Sequence, residues 1–136
     1  MSRESLLARI GDINNFEIPR PIVTLEEFFE GNEDRASIGC NLPEPYTPQE
    51  FFAFFKRLRD HPDVSDVLVE VEQLDHPDVW PFTSTIWFVT SLSQVVLAKQ
   101  FEERIRPDEW RTYPPDYPVE PVRSKPGTQV IGARYD

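Results

Sequence analysis

The side chains with the widest chemical reach are the chain's two histidines and the carboxylates beside them. Asp60-His61-Pro62-Asp63-Val64 recurs as Asp75-His76-Pro77-Asp78-Val79. Imidazole and carboxylate are the ligand types of zinc and calcium sites. Distance argues against a single shared site. The residues between the copies read as a strand, and at about 3.3 Å per residue the two turns fall more than about 20 Å apart. One copy alone supplies one His and at most two neighbouring carboxylates. Turn chemistry accounts for both copies, with Pro at the second turn position and Asp capping nearby backbone. Neither a metal nor a cofactor is expected.

The other candidates fare similarly. Cys40 could act as a nucleophile, but no base or oxyanion motif surrounds it, and a strand Cys usually behaves as a small buried hydrophobe. Glu26, Glu27, Glu30, Glu33 and Asp34 form one acidic cluster, and Asp66, Glu70, Glu72 and Asp75 another. Paired carboxylates can do acid–base work, yet charge runs are usually solvated faces. There is no P-loop, no GxGxxG and no zinc-ligand spacing. No catalytic residue is assigned. The tripeptide His-Pro-Asp resembles the loop signature of J-domain co-chaperones. There it joins two helices, one of them basic, whereas here each copy abuts a strand in an acidic chain.

The elements that must position these residues centre on Asp66 to Leu97. Val67, Val69 and Val71 alternate with Leu68, Glu70 and Glu72, the period of two of a half-buried strand. Thr85 to Thr90 is β-branched and aromatic without a charge, as in a central strand. The connection Asp75–Ser84 is too short for a parallel crossover, so the two strands pair antiparallel. Ser91 or Ser93 caps a helix over Gln94 to Ile105. Upstream, Ser2 to Ile13 reads as an amphipathic helix and Pro21-Ile22-Val23 as a short edge strand. Thr24 with Glu27, and Thr47 with Glu50, spell capping boxes, the second opening a helix over Pro48–Asp60. That helix carries an apolar stripe of Phe51, Phe52, Phe55 and Leu58. Ala36 to Leu42 reads as a strand, and Thr128 to Tyr135 as a closing strand. The segment 106–127 holds six prolines and reads as a long loop.

From Ala36 onward the order is strand, helix, strand, strand, helix, strand. That is an α+β, ferredoxin-like βαββαβ arrangement: an antiparallel sheet with two helices on one face. The expected domain is single and spans 1–136. Residues 1–35 are an N-terminal helical extension, residues 36–136 the core, and 106–127 the Pro-rich loop before the last strand. The strands from Ala36 and Thr85 are expected at the centre, and those from Asp66 and Thr128 at the edges. The sheet then leaves one face bare, carrying Leu68, Glu70 and Glu72 with one alternate set of Thr85–Thr90. Glu70, Glu72 and Trp87 are the candidate partner-binding residues, because interfaces concentrate energy in Trp, Tyr and Arg.

The whole-chain numbers point the same way. A net charge of −10 over 136 residues opposes nucleic acid and anionic membrane as partners and favours a basic protein. One Cys makes no internal disulfide, which fits a reducing cytoplasm. No stretch approaches the roughly 20 apolar residues of a membrane helix. Two pairs of stretches, Pro19 to Asn32 with Ser37 to Leu42, and Asp66 to Val71 with Trp80 to Ser91, resemble a family of small, single-domain, functionally uncharacterised bacterial proteins. In size and acidity the chain is also similar to bacterial immunity proteins, which neutralise toxins by binding them. The expectation is a cytoplasmic protein-binding module, an immunity-type inhibitor of a basic toxin being one form. The alternative is a small ferredoxin-like enzyme or ligand-binding protein with a pocket between sheet and helices. A homodimer is compatible with either.

Overall fold

The computed structural model describes residues 22–34, 37–38, 47–71, 80–111 and 129–135. The helix read at Ser2 to Ile13, Cys40, Glu72, the second His-Pro-Asp copy and segment 112–128 lie outside them. Five strands, β1 (Ile22–Thr24), β2 (Val64–Glu70), β3 (Thr85–Thr90), β4 (Glu109–Arg111) and β5 (Gln129–Arg134), form one antiparallel sheet in the order β1-β2-β3-β5-β4. Three helices, α1 (Leu25–Phe29), α2 (Pro48–Arg59) and α3 (Gln94–Ala98), pack their buried residues into one core with a single sheet face.

The α+β class and the one-sided helical layer follow from patterning, but the strand order is not the ferredoxin-like one. Of Ala36–Leu42, only Ser37 and Ile38 are described. Ser37 sits in a tight turn, its hydroxyl donating to the Asp34 carbonyl at 2.6 Å, and Ile38 makes an isolated parallel bridge to Thr83. The place expected for that strand beside β3 is taken by β5, which pairs with β3 over all six residues. The edge of β2 is covered by β1, so β2 is internal, contrary to the edge position expected for it. β5 is internal too, because β4 pairs along its outer side. β4 falls within the segment read as loop. Its Trp110 meets Phe101 edge-on, with ring centroids 5.4 Å apart, and the charged Glu109 and Arg111 beside it suit an exposed edge.

Local chemistry sets the helix starts. Thr24 and Thr47 each accept from the backbone N–H three residues on, while Glu27 and Glu50 accept from the cap N–H groups. α2 buries Phe51, Phe52, Phe55 and Leu58, and Phe54 as well. Rings of Phe51, Phe54, Phe55, Phe88 and Phe101 form a continuous aromatic layer between α2 and the sheet, with centroid spacings of 4.9 to 6.5 Å. The last helix is shorter than Gln94–Ile105: α3 ends at Ala98, and a 3-10 turn follows at Glu103–Ile105. Tertiary contacts set that break. Phe101 packs among Phe54, Phe88 and Trp110, and the Ile105 carbonyl accepts the buried Tyr135 hydroxyl at 2.8 Å. Burial pushes the Tyr135 hydroxyl's pKa up, which keeps it a donor there.

Two polar ties join α1 to α2. The Gln49 amide donates to the carbonyls of Phe29 at 2.7 Å and Asn32 at 2.8 Å, closing the turn that Gly31 makes at φ 81°. Arg59 donates both terminal nitrogens to the Glu26 carboxylate, at 2.7 and 2.6 Å. That forked bond holds the Glu26 carboxyl below the usual glutamate range. The folded value is depressed, so the pair's contribution is fully present above the unfolded value, about pH 4.3, and is lost as pH falls through the folded one. Both side chains are partly exposed, so the effect is modest. Thermal melts at about pH 6 and about pH 3 should show wild type losing more stability on acidification than Glu26→Gln does. Equal losses would show that the pair carries no linkage.

Candidate functional site

The register decides what Glu70 and Trp87 do. Leu68 lies opposite Trp87 on β2, and Gly132 lies opposite it on β5. Ile86 and Phe88 face the helices, so Trp87 points to the other side of the sheet with Leu68 and Ile22. Glu70 is diagonal to Trp87, within reach of a long side chain. The indole Nε1 donates to Glu70 Oε1 at 3.2 Å. Trp87 is 2% exposed and Glu70 5%. The indole also lies across Gly132, where an added Cβ would come within 2.8 Å of Cζ3. A glycine inside a strand often marks such a close approach, and here it leaves the room that Trp87 occupies.

Two of the three residues expected to bind a partner are therefore brought together, but inside the protein. Glu70 is not an exposed edge charge: β2 is internal, and the carboxylate is buried against an indole donor. Nor is this sheet face bare around them, since Ile22, Leu68 and Val89 are buried too. Glu72, the third, lies outside the described residues. Toward β4 the same face turns polar. Thr85 pairs with Arg134, and Arg134 with Glu109. Arg134 Nη1 stands 3.6 Å and Arg111 Nε 3.2 Å from Glu109 Oε1. Pairs this exposed contribute less than about 1 kcal/mol each. They position β4 against β5 more than they stabilise the fold. The sequence reading missed Arg134, Glu109, Arg111 and Gly132, and only the glycine within the closing strand carried a usable signal.

The first His-Pro-Asp copy is a turn. His61 Nδ1 accepts the Asp63 N–H at 3.0 Å, and the Asp63 carbonyl accepts from Thr90 Oγ1 at 2.7 Å and from the Ser91 N–H at 3.0 Å. The imidazole and the Asp63 backbone thus join the end of α2 to β2 and β3. Among the described residues, no three His, Cys, Asp or Glu side chains gather as a metal site. In the acidic cluster, Glu26 pairs with Arg59, Glu27 caps α1, and Asp34 Oδ2 accepts the Trp80 N–H at 3.4 Å. Among the described residues, no helix is long and apolar enough to cross a membrane.

Comparison with known proteins places this sheet in a small uncharacterised bacterial family. The Uncharacterized protein YfbO family matches residues 1–133, and the chain belongs to it. The chain is 41% identical over 107 residues to the Uncharacterized protein YfbO of Escherichia coli (strain K12), covering 78% of this chain and 76% of that protein. No solved structure matches it.

The Glu70–Trp87 geometry predicts a stability effect where exposure would have predicted a binding effect. Glu70→Lys places a cation against an indole N–H in a buried position, and should cost about 3 kcal/mol or more. Denaturant unfolding of the variant checks this. A loss under about 0.5 kcal/mol, the usual size for an exposed substitution, would return Glu70 to the surface.

Proposed function

We propose that the chain is a cytoplasmic protein-binding module for a basic protein partner, in the manner of an immunity-type inhibitor. The observation that carries this reading is its charge: −10 at pH 7 on 136 residues. Two groups stand out among the described carboxylates. Glu26, Glu27, Glu50 and Glu70 have structural partners in an ion pair, two caps and a buried hydrogen bond. Glu33, Asp60, Asp63, Glu102 and Glu103 are exposed to solvent. Uncompensated negative charge costs a compact state some self-repulsion, and it speeds encounter with a basic surface. The docking residues are then sought among exposed acids, with Glu70 and Trp87 supporting the sheet. The enzyme reading needs a cavity between sheet and helices, and that space holds the packed aromatic layer of Phe51, Phe54, Phe55, Phe88 and Phe101.

Affinity capture on the immobilised chain, eluted with a salt gradient, tests the reading. Retained proteins should be strongly basic and should leave the column by about 0.5 M salt, where charge is screened within a few ångström. Retention of neutral or acidic proteins only, insensitive to salt, would contradict it.

A further inference from the structure

One end of the domain combines features the fold itself does not use. Val95 and Val96 on α3 are 64% and 41% exposed, the large apolar side chains left in solvent among the described residues. Of the α3 side chains only Leu97 is buried. Adjacent β-branched residues do not favour so short a helix, so neither local propensity nor burial explains them. The Ser93 hydroxyl accepts the Val96 N–H at 3.2 Å and sets the helix start. The Asp63 carbonyl, bonded to the Thr90 hydroxyl and to the N–H of Ser91, holds the His-Pro-Asp turn beside that start. Pro62, Asp63, Ser91, Ser93, Val95 and Val96 are all exposed there.

The two stretches that meet at this end carry charge of one sign. Residues 60–66 contain Asp60, Asp63 and Asp66, residues 90–98 carry no charge, and neither stretch has a Lys or Arg. The cations at the end of α2 are engaged, and Arg59, whose main partner is Glu26, also feels the charges of Asp60 and Asp66. Lys56 lies over the Phe52 ring at 4.1 Å, Arg57 over Phe54 at 5.6 Å, and Arg59 is forked onto Glu26. The first base after α3 is Lys99, at its C-cap.

We propose that this end, the Asp60–Asp63 turn together with Val95 and Val96, is the surface on which a basic partner docks. The inference rests on the basic-partner reading above and names its site. A Lys- or Arg-bearing segment fits both halves: aliphatic stems lie on the two valines, and the charged heads reach the aspartates. A second copy of this chain fits less well. A two-fold contact centred on the valines would bring each copy's aspartates toward the same surface of the other, like charge against like.

The test is an NMR titration of the full chain with a cationic Lys- and Leu-rich peptide as probe, at low and at high salt. Amide shifts should concentrate at Asp63, Ser91, Val95 and Val96. The pair Val95→Ser with Val96→Ser should weaken binding by about tenfold at unchanged melting temperature, the scale of one lost apolar anchor. The pair Asp60→Asn with Asp63→Asn keeps the turn's backbone bonds and should flatten the salt dependence. Shifts spread over other acidic surfaces, or binding indifferent to both pairs of substitutions, would overturn this site and leave the basic-partner reading standing. Absence of binding to the probe even at low salt would overturn both. Valine-dependent dimerisation in sedimentation would assign the surface to a second copy and overturn the proposal.

Discussion

Strand β3 is buried along its whole length and on both faces, and the rest of the chain answers to that constraint. A strand in that position needs backbone partners on both sides, because an unpaired buried N–H or C=O is costly. β2 and β5 supply them over all of Thr85–Thr90. On the helical side, Ile86 and Phe88 meet an aromatic layer built from α2 and Phe101. On the other side, Trp87 needs flat space and an acceptor. Gly132 gives the space and Glu70 the acceptor, and both follow from the same register.

This changes what the chain's acidity means. One conspicuous carboxylate, Glu70, is buried and accepts from the Trp87 indole. Others are consumed at helix starts and in the fork with Arg59. Among the described residues, the exposed carboxylates Glu33, Asp60, Asp63, Glu102 and Glu103 lie in turns and at helix ends, including the first His-Pro-Asp turn, whose imidazole is occupied by the backbone of Asp63. The first copy of the repeat that suggested metal chemistry thus contributes a turn, and that turn ties Asp63 to Ser91, just ahead of α3.

The parts legible in the sequence were those fixed by near neighbours. Thr24, Thr47 and Ser93 cap helices because a hydroxyl reaches an amide three residues on. The valines of β2 and the phenylalanines of α2 announce their buried faces through spacing alone. The illegible parts depend on partners distant in the chain. Nothing near Ile131 says that β5 takes the place beside β3 that was expected for Ala36–Leu42. Three residues around Trp110, set among prolines, carry too little alternation to read as β4. The burial of Glu70 is visible only once Leu68 is known to face Trp87, since an alternating Glu in a strand normally marks the wet side. The end of α3 at Ala98 is decided by where Phe101 and Ile105 must reach, which helical periodicity does not encode.

Native-state hydrogen exchange tests the constraint on β3 most directly. If β3 is the doubly buried spine, the amides of Trp87, Phe88 and Val89 should exchange only through global unfolding, with protection matching the unfolding free energy, while those of β1 and β4 open at lower cost. Exchange in β3 as fast as in β4 would contradict the account, because it would mean that the face carrying Trp87 and Glu70 opens independently of the core.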